Sequence, residues 1–167
     1  IEDINQEEEN HEAAREAWNR LLHDRHSFNV LDNRDIRGVH QKLTTQRQET
    51  EMAKKRILLV DNDKLLNHIN QKILAGSGVV NELHIVSNGK EAIDYLHSRI
   101  EKQYVLPEVI ILDLDMPVMN GFQFIDEFQK LTFPGKSDVK IVVFTASSNP
   151  KDKQKAIAKG VKYYLDK

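Results

Sequence analysis

Short apolar runs separated by stretches of helical spacing predict a doubly wound α/β fold for residues 52–167. Arg56–Val60 (RILLV), Val109–Leu112 (VIIL) and Ile141–Phe144 (IVVF) are almost unbroken apolar runs, as strands buried on both faces of a parallel sheet require. Leu83–Val86 and Lys162–Leu165 are shorter candidates of the same kind. Between the runs lie Leu65–Leu74, Lys90–Ile100, Phe122–Leu131 and Pro150–Lys159, each spaced like a helix with one apolar stripe. Leu65/Ile69/Ile73 and Phe122/Phe124/Ile125/Phe128 are the clearest stripes. The order β-α-β-α-β-α-β-α-β, with right-handed crossovers, puts helices on both faces of a five-stranded parallel sheet.

Composition sets the outer limits. The chain has 167 residues, 40% hydrophobic and 30% charged, enough for one core of ordinary size. It has no cysteine, which excludes disulfides, thiolate metal sites and thiol catalysis. The net charge of −2 argues against a nucleic-acid surface, and no apolar run approaches the roughly 18 residues of a membrane helix. With no secretory signal at its start, the chain is expected in the cytoplasm.

The charge is unevenly spread. Residues 1–51 hold 12 acids against 7 Lys/Arg, whereas residues 52–167 hold 14 acids against 17. Aliphatic runs begin only after Met52, so a domain boundary is expected there. In residues 1–51, Ala14, Ala17, Trp18, Leu21 and Leu22 form one helical stripe and Ile36, Val39 and Leu43 a second, with a turn from Phe28 to Asn33. This helical segment reads as a linker, a fused piece, or a pair of helices through which two copies form a homodimer.

In a doubly wound sheet the ligand site lies beyond the carboxyl ends of the strands. Asp61-Asn62-Asp63, Asp113-Leu114-Asp115, Thr145-Ala146-Ser147 and Lys167 follow the predicted strands. Acids, an amide, hydroxyls and an ammonium thus converge on one edge, which marks a reaction site.

The run Asp113-Leu114-Asp115-Met116-Pro117-Val118-Met119-Asn120-Gly121 resembles the phosphoacceptor loop of response-regulator receiver domains. Asp61-Asn62 stands where that family carries an acidic pair. Asn88-Gly89-Lys90-Glu91-Ala92, Thr145-Ala146, Tyr164 and Lys167 supply its other marks in order. The resemblance covers most of residues 52–167 and implies a flavodoxin-like sheet of strand order 2-1-3-4-5. It implies that Asp113 is the phosphorylated nucleophile and that Mg²⁺ is held by Asp61, Asn62, Asp113 and the carbonyl of Asp115. Thr145 and Lys167 would then contact phosphoryl oxygens, Tyr164 would be the aromatic switch, and Asp115 and Ser147 would tune phosphoryl lifetime. The implied donor is a sensor histidine kinase or histidine phosphotransfer protein, and a downstream protein partner is implied at the face of the fourth helix and fifth strand. Neither nucleic acid nor membrane enters this scheme, and no enzymatic turnover beyond the domain's own phosphorylation and dephosphorylation.

The chain departs from the family pattern twice. Asn62 stands where a directly ligating carboxylate is usual, which predicts weaker metal binding. The family's Lys-Pro and fifth helix do not follow Lys167, and either a longer parent protein or the Ala14–Leu22 helix in the vacant groove would account for that.

Plainer readings stand beside these roles. Asp61 or Asp63 also reads as a helix N-cap, and Thr145 as a cap for the helix near Pro150. Lys167 also reads as a solvated lysine, Tyr164 as a core-edge tyrosine, and Gly89 and Gly121 as turn glycines. His23–Asn29 faintly resembles a phosphohistidine region, although a histidine on a solvated helix reads the same way. A degenerate receiver that binds partners without phosphorylation is the main alternative function. A magnesium-dependent phosphatase using the Asp113/Asp115 pair is another.

Overall fold

The computed structural model describes residues 54–147 and 149–167. Its elements run β1 (Lys55–Val60), α1 (Lys64–Gly76), β2 (Val80–Val86), α2 (Gly89–Glu101), β3 (Val109–Leu112), α3 (Gly121–Lys130), β4 (Lys140–Thr145), α4 (Pro150–Ala158) and β5 (Tyr163–Asp166), with a 3₁₀ turn at Lys136–Asp138. The sheet is five-stranded, parallel at every pairing, and ordered β2-β1-β3-β4-β5. Both the fold class and the strand order match expectation. The expectations placed on residues 1–51, namely the two stripes, the turn, the histidine segment, the groove-filling helix and the homodimer, lie outside the described residues.

Continuous apolar runs became central strands because both faces are covered. Leu58, Val60, Ile110, Leu112 and Val143 point to one face, where they join Leu96, Phe124, Ile125, Phe128 and Ala156 from α2, α3 and α4 in one core cluster. The chain moves from β1 to β2 in one direction and from β3 to β5 in the other, so right-handed crossovers place α1 on the opposite face. Among the described residues, all four α-helices start on an Asp or Asn whose side chain accepts a backbone N–H of the first turn: Asp63, Asn88, Asn120 and Asn149.

The α1 stripe differs from the expected one. Leu65 is 71% exposed, while the buried residues of α1 are Asn67, Asn70 and Leu74. At 100° per residue these three share a stripe on the far side of the helix from Leu65. Ile69 and Ile73 of the expected stripe are half-buried, and the fully buried positions beside them went unmarked because two of them are amides. Strand β2 also begins three residues before the expected Leu83, since Val80 and Glu82 pair with β1 across an irregularity at Lys55/Arg56.

Candidate functional site

The strand ladder sets the site. Three of the strands, β1, β3 and β5, extend one backbone hydrogen bond past their last paired residue: Asp61 N to Val86 O (3.0 Å), Asp113 N to Val60 O (2.9 Å) and Lys167 N to Thr145 O (2.9 Å). Asp61, Asp113, Thr145 and Lys167 therefore lie side by side at the carboxyl edge without any long-range loop to position them. The sheet register brings the four together.

At the centre, Lys167 Nζ donates to Asp113 Oδ2 at 2.8 Å and lies 2.7 Å from Asp61 Oδ2. Asp113 Oδ1 accepts the Leu114 N–H at 2.7 Å, and Asp61 Oδ1 accepts the Asp63 N–H at 2.8 Å. Asp61, Asp113 and Thr145 are all buried. Two buried carboxylates thus share one ammonium, which leaves a net negative charge in a site largely shut off from water. Burial pushes the Asp61 carboxyl above its ordinary value, against the pull of Lys167. Burial alone would lower the Lys167 ammonium, but hydrogen bonds to Asp113 and Asp61 hold it above its ordinary value. The charged lysine and the proton-seeking Asp61 are compatible, because one cation cannot neutralise two anions.

The remaining residues divide into near and far. Thr145 Oγ1 accepts the Ser147 N–H at 3.3 Å, and the hydroxyl of Tyr164 donates to the Ser147 carbonyl at 3.3 Å. Asn149, not Thr145, caps α4, and Asp63, not Asp61, caps α1. The side chains of Asn62 and Asp115 are exposed, outside the carboxylate pair. Among the described residues, no three His, Cys, Asp or Glu side chains converge as a ligand set. A divalent cation would therefore rest on two carboxylates plus carbonyl oxygen and water, a normal arrangement for Mg²⁺. Asp61 Oδ2 suits it, since apart from the Lys167 ammonium at 2.7 Å this buried oxygen has no partner.

Gly89 and Gly121 are more than turn glycines. Both open helices, and neither has a positive φ. A Cβ on Gly121 would sit 2.4 Å from the Asp113 carbonyl oxygen and 2.9 Å from Leu114 Cα. A Cβ on Gly89 would sit 2.8 Å from Met119 Cγ and 2.9 Å from Met119 O. Their bare backbones let α2 and α3 close on the loop after β3. Sequence reasoning missed Asn67, whose Nδ2 donates to the Asp61 carbonyl at 2.7 Å from a buried position. A pair of amides three residues apart on a helix was its signal.

Residues 57–167 match the family described as "Response regulator receiver domain". The chain belongs to that family. This receiver is 30% identical over 109 residues to the nitrate/nitrite response regulator protein NarL of Escherichia coli, covering 65% of the present chain and 46% of NarL. It thus spans less than half of NarL's length. Among solved structures, the Mn²⁺-bound form of response regulator Rcp1 aligns with a TM-score of 0.60 at 31% identity, over 68% of this receiver and 81% of that chain. The phosphorylated cyanobacterial phytochrome response regulator RcpA aligns with a TM-score of 0.61 at 30% identity, over 68% and 81%. No helix among the receiver's described residues is long and apolar enough to cross a membrane.

Proposed function

We propose that this receiver takes a phosphoryl group on Asp113 from a sensor histidine kinase or histidine phosphotransfer protein and uses it to switch protein partners in the cytoplasm. The observation that carries the reading is the Lys167 ammonium held between Asp113 and Asp61 at 2.8 and 2.7 Å. A buried carboxylate next to a cation, at the end of the middle strand, is equipped to attack phosphorus. A carboxylate oxygen of Asp113 forms the O–P bond as the P–N bond of a phosphohistidine, or the P–O bond of an acyl phosphate, breaks.

Lys167 then moves its attraction to a phosphoryl oxygen, and the Thr145 hydroxyl donates to another. Mg²⁺ held by Asp61, Asp113 and the carbonyl of Asp115, with Asn62 as a neutral neighbour, would neutralise charge on the transferred group. The Mn²⁺-bound Rcp1 and the phosphorylated RcpA support both parts by analogy. Asp115 and Ser147 border the site and would tune how long the phosphoryl group persists. Tyr164 bonds the loop after Thr145 and would report occupancy to the α4–β5 face, where a downstream partner docks. The domain turns over no other substrate.

Asn62 favours a second reading, a degenerate receiver that binds partners without phosphorylation. Incubation with acetyl phosphate and Mg²⁺, followed by intact mass, separates the two. A single labile phosphoryl adduct on the native chain and none on Asp113→Asn is expected. A folded native chain that stays unmodified would favour the interaction module.

A further inference from the structure

Ser147 stands two residues past Thr145, in the connection from β4 to α4, and each of its polar groups is engaged. Its N–H donates to Thr145 Oγ1 at 3.3 Å, and its carbonyl accepts from the Tyr164 hydroxyl at 3.3 Å. Its Oγ donates to Asp152 Oδ2 at 2.6 Å and accepts the Asn149 N–H at 3.4 Å. In an ordinary capping box the third helical residue reaches back to the N–H of the cap. In α4 that residue is Asp152, and it reaches Asn149 through the hydroxyl of Ser147. The carboxylate acceptor makes the inner bond charge-assisted and short. Lys153, the next residue, lies with Nζ 5.6 Å from the centroid of the Tyr164 ring, within cation–π range. The first turn of α4 thus grips both Ser147 and the tyrosine that bonds it.

The consequence falls on Thr145. A threonine hydroxyl has one proton to donate and two lone pairs to accept. The Ser147 N–H occupies one acceptor direction of a side chain that is fully buried, so no water competes for it. The hydroxyl proton is left to donate toward an anionic oxygen arriving at Asp113. Were the Ser147–Asp152 bond lost, the loop would be free to withdraw that N–H, and Thr145 would lose its fixed orientation.

We propose that Ser147 and Asp152 form a latch that positions Thr145 for the phosphoryl group. Both are positioning residues, since neither touches the reacting atoms. The inference rests on the phosphoacceptor reading of Asp113.

The test uses the full chain labelled with 3-fluorotyrosine, with the Tyr164 ¹⁹F resonance assigned through Tyr164→Phe. Acetyl phosphate and Mg²⁺ are added, and phosphoryl incorporation and the resonance are followed together. The native chain should acquire the adduct while its Tyr164 resonance moves. Asp152→Ala, which removes the acceptor of the Ser147 hydroxyl and is checked for folding by its melting curve, should slow incorporation about three- to tenfold, the share of one hydrogen bond. Its Tyr164 displacement should shrink. Ser147→Ala should behave alike, and Ser147→Thr, which keeps the hydroxyl, should recover both readouts. Wild-type rates and a full Tyr164 displacement in Asp152→Ala and Ser147→Ala would overturn the latch, as would a folded Ser147→Thr no better than Ser147→Ala. A native chain that takes no phosphoryl group is a separate result: it overturns the phosphoacceptor reading, and the latch falls with it.

Discussion

Lys167 Nζ lies 2.8 Å from Asp113 Oδ2, joining the residue after β5 to the residue after β3 across the intervening strand β4. The Lys167 side chain is only 13% exposed, and the carboxylate pair it serves is still less so. Replacing it by Met should leave two buried carboxylates facing one another without a counter-charge. Breaking a buried pair in this way costs about 3–5 kcal/mol. Urea unfolding at pH 7 should show that loss, and Asp61→Asn in the same chain should return part of it.

Asp61 sets a pH dependence whose sign follows from its environment. Its carboxyl is raised above its ordinary value of 3.8, chiefly by burial. In the window from 3.8 up to its folded value the native state therefore holds more protons than the unfolded chain. Stability contributed by this group falls as pH rises through that window. Asp61→Asn should remove the decline and raise the melting temperature at pH 7. Melting curves between pH 4 and pH 8 on both chains check the sign, and a steeper decline in the variant would contradict it.

Bound as proposed, Mg²⁺ should stabilise the native chain, because it would offset the burial that disfavours the ionised Asp61 carboxyl. At one hundred times its dissociation constant the gain would be about 2.7 kcal/mol. Asn62→Asp should tighten Mg²⁺ about tenfold, ~1.4 kcal/mol, by adding a charged oxygen ligand to the set. Calorimetric titration of both chains measures the ratio, and equal affinities would remove Asn62 from the metal site.

Gly121→Ala should damage fold and site together. The added Cβ meets backbone at 2.4 Å from the Asp113 carbonyl oxygen and 2.9 Å from Leu114 Cα, where no side-chain rotation can relieve it. Forced overpacking of this kind costs about 1–3 kcal/mol, and the shift is transmitted to Asp113 itself. A lowered urea midpoint with slower acetyl-phosphate labelling is the expected pair of results.

Val118 holds a φ of 67° at 82% exposure, a left-handed conformation that a β-branched side chain resists. Asn tolerates that conformation. Val118→Asn should therefore raise stability by about 1 kcal/mol, the lower end of the strain carried by such positions. Thermal unfolding reads this directly, and a lowered melting temperature would show that the valine is supported by contacts it does not display.

Much of this architecture was legible because the strands are buried on both faces. A run such as Val109–Leu112 has no polar face to keep, so its composition declares it. The residues after each strand were legible for the same reason: a polar group directly beyond an apolar strand stands out. Helix α1 was legible as a helix but its fully buried positions were not, because Asn67 and Asn70 occupy two of them and apolar periodicity cannot find an amide. The roles of Gly89 and Gly121 were hidden too, since a close backbone approach leaves no mark except the glycine itself. The partnership of Ser147 with Asp152 was hidden, because an ordinary capping box runs directly from the third helical residue to the cap and here the Ser147 hydroxyl stands between them.

The sequence by itself determined the β-α alternation, the carboxyl edge on which chemistry gathers, and the identity of the residues placed there. Those follow from local rules: burial on two faces makes apolar strands, and polar residues end them. Only the tertiary structure decided that one ammonium serves both Asp61 and Asp113, and that Thr145 is held through Ser147 from α4. Sequence spacing carries no information about distances between strands. Parallel register sets those distances, and it exists only once β1, β3, β4 and β5 are hydrogen-bonded side by side.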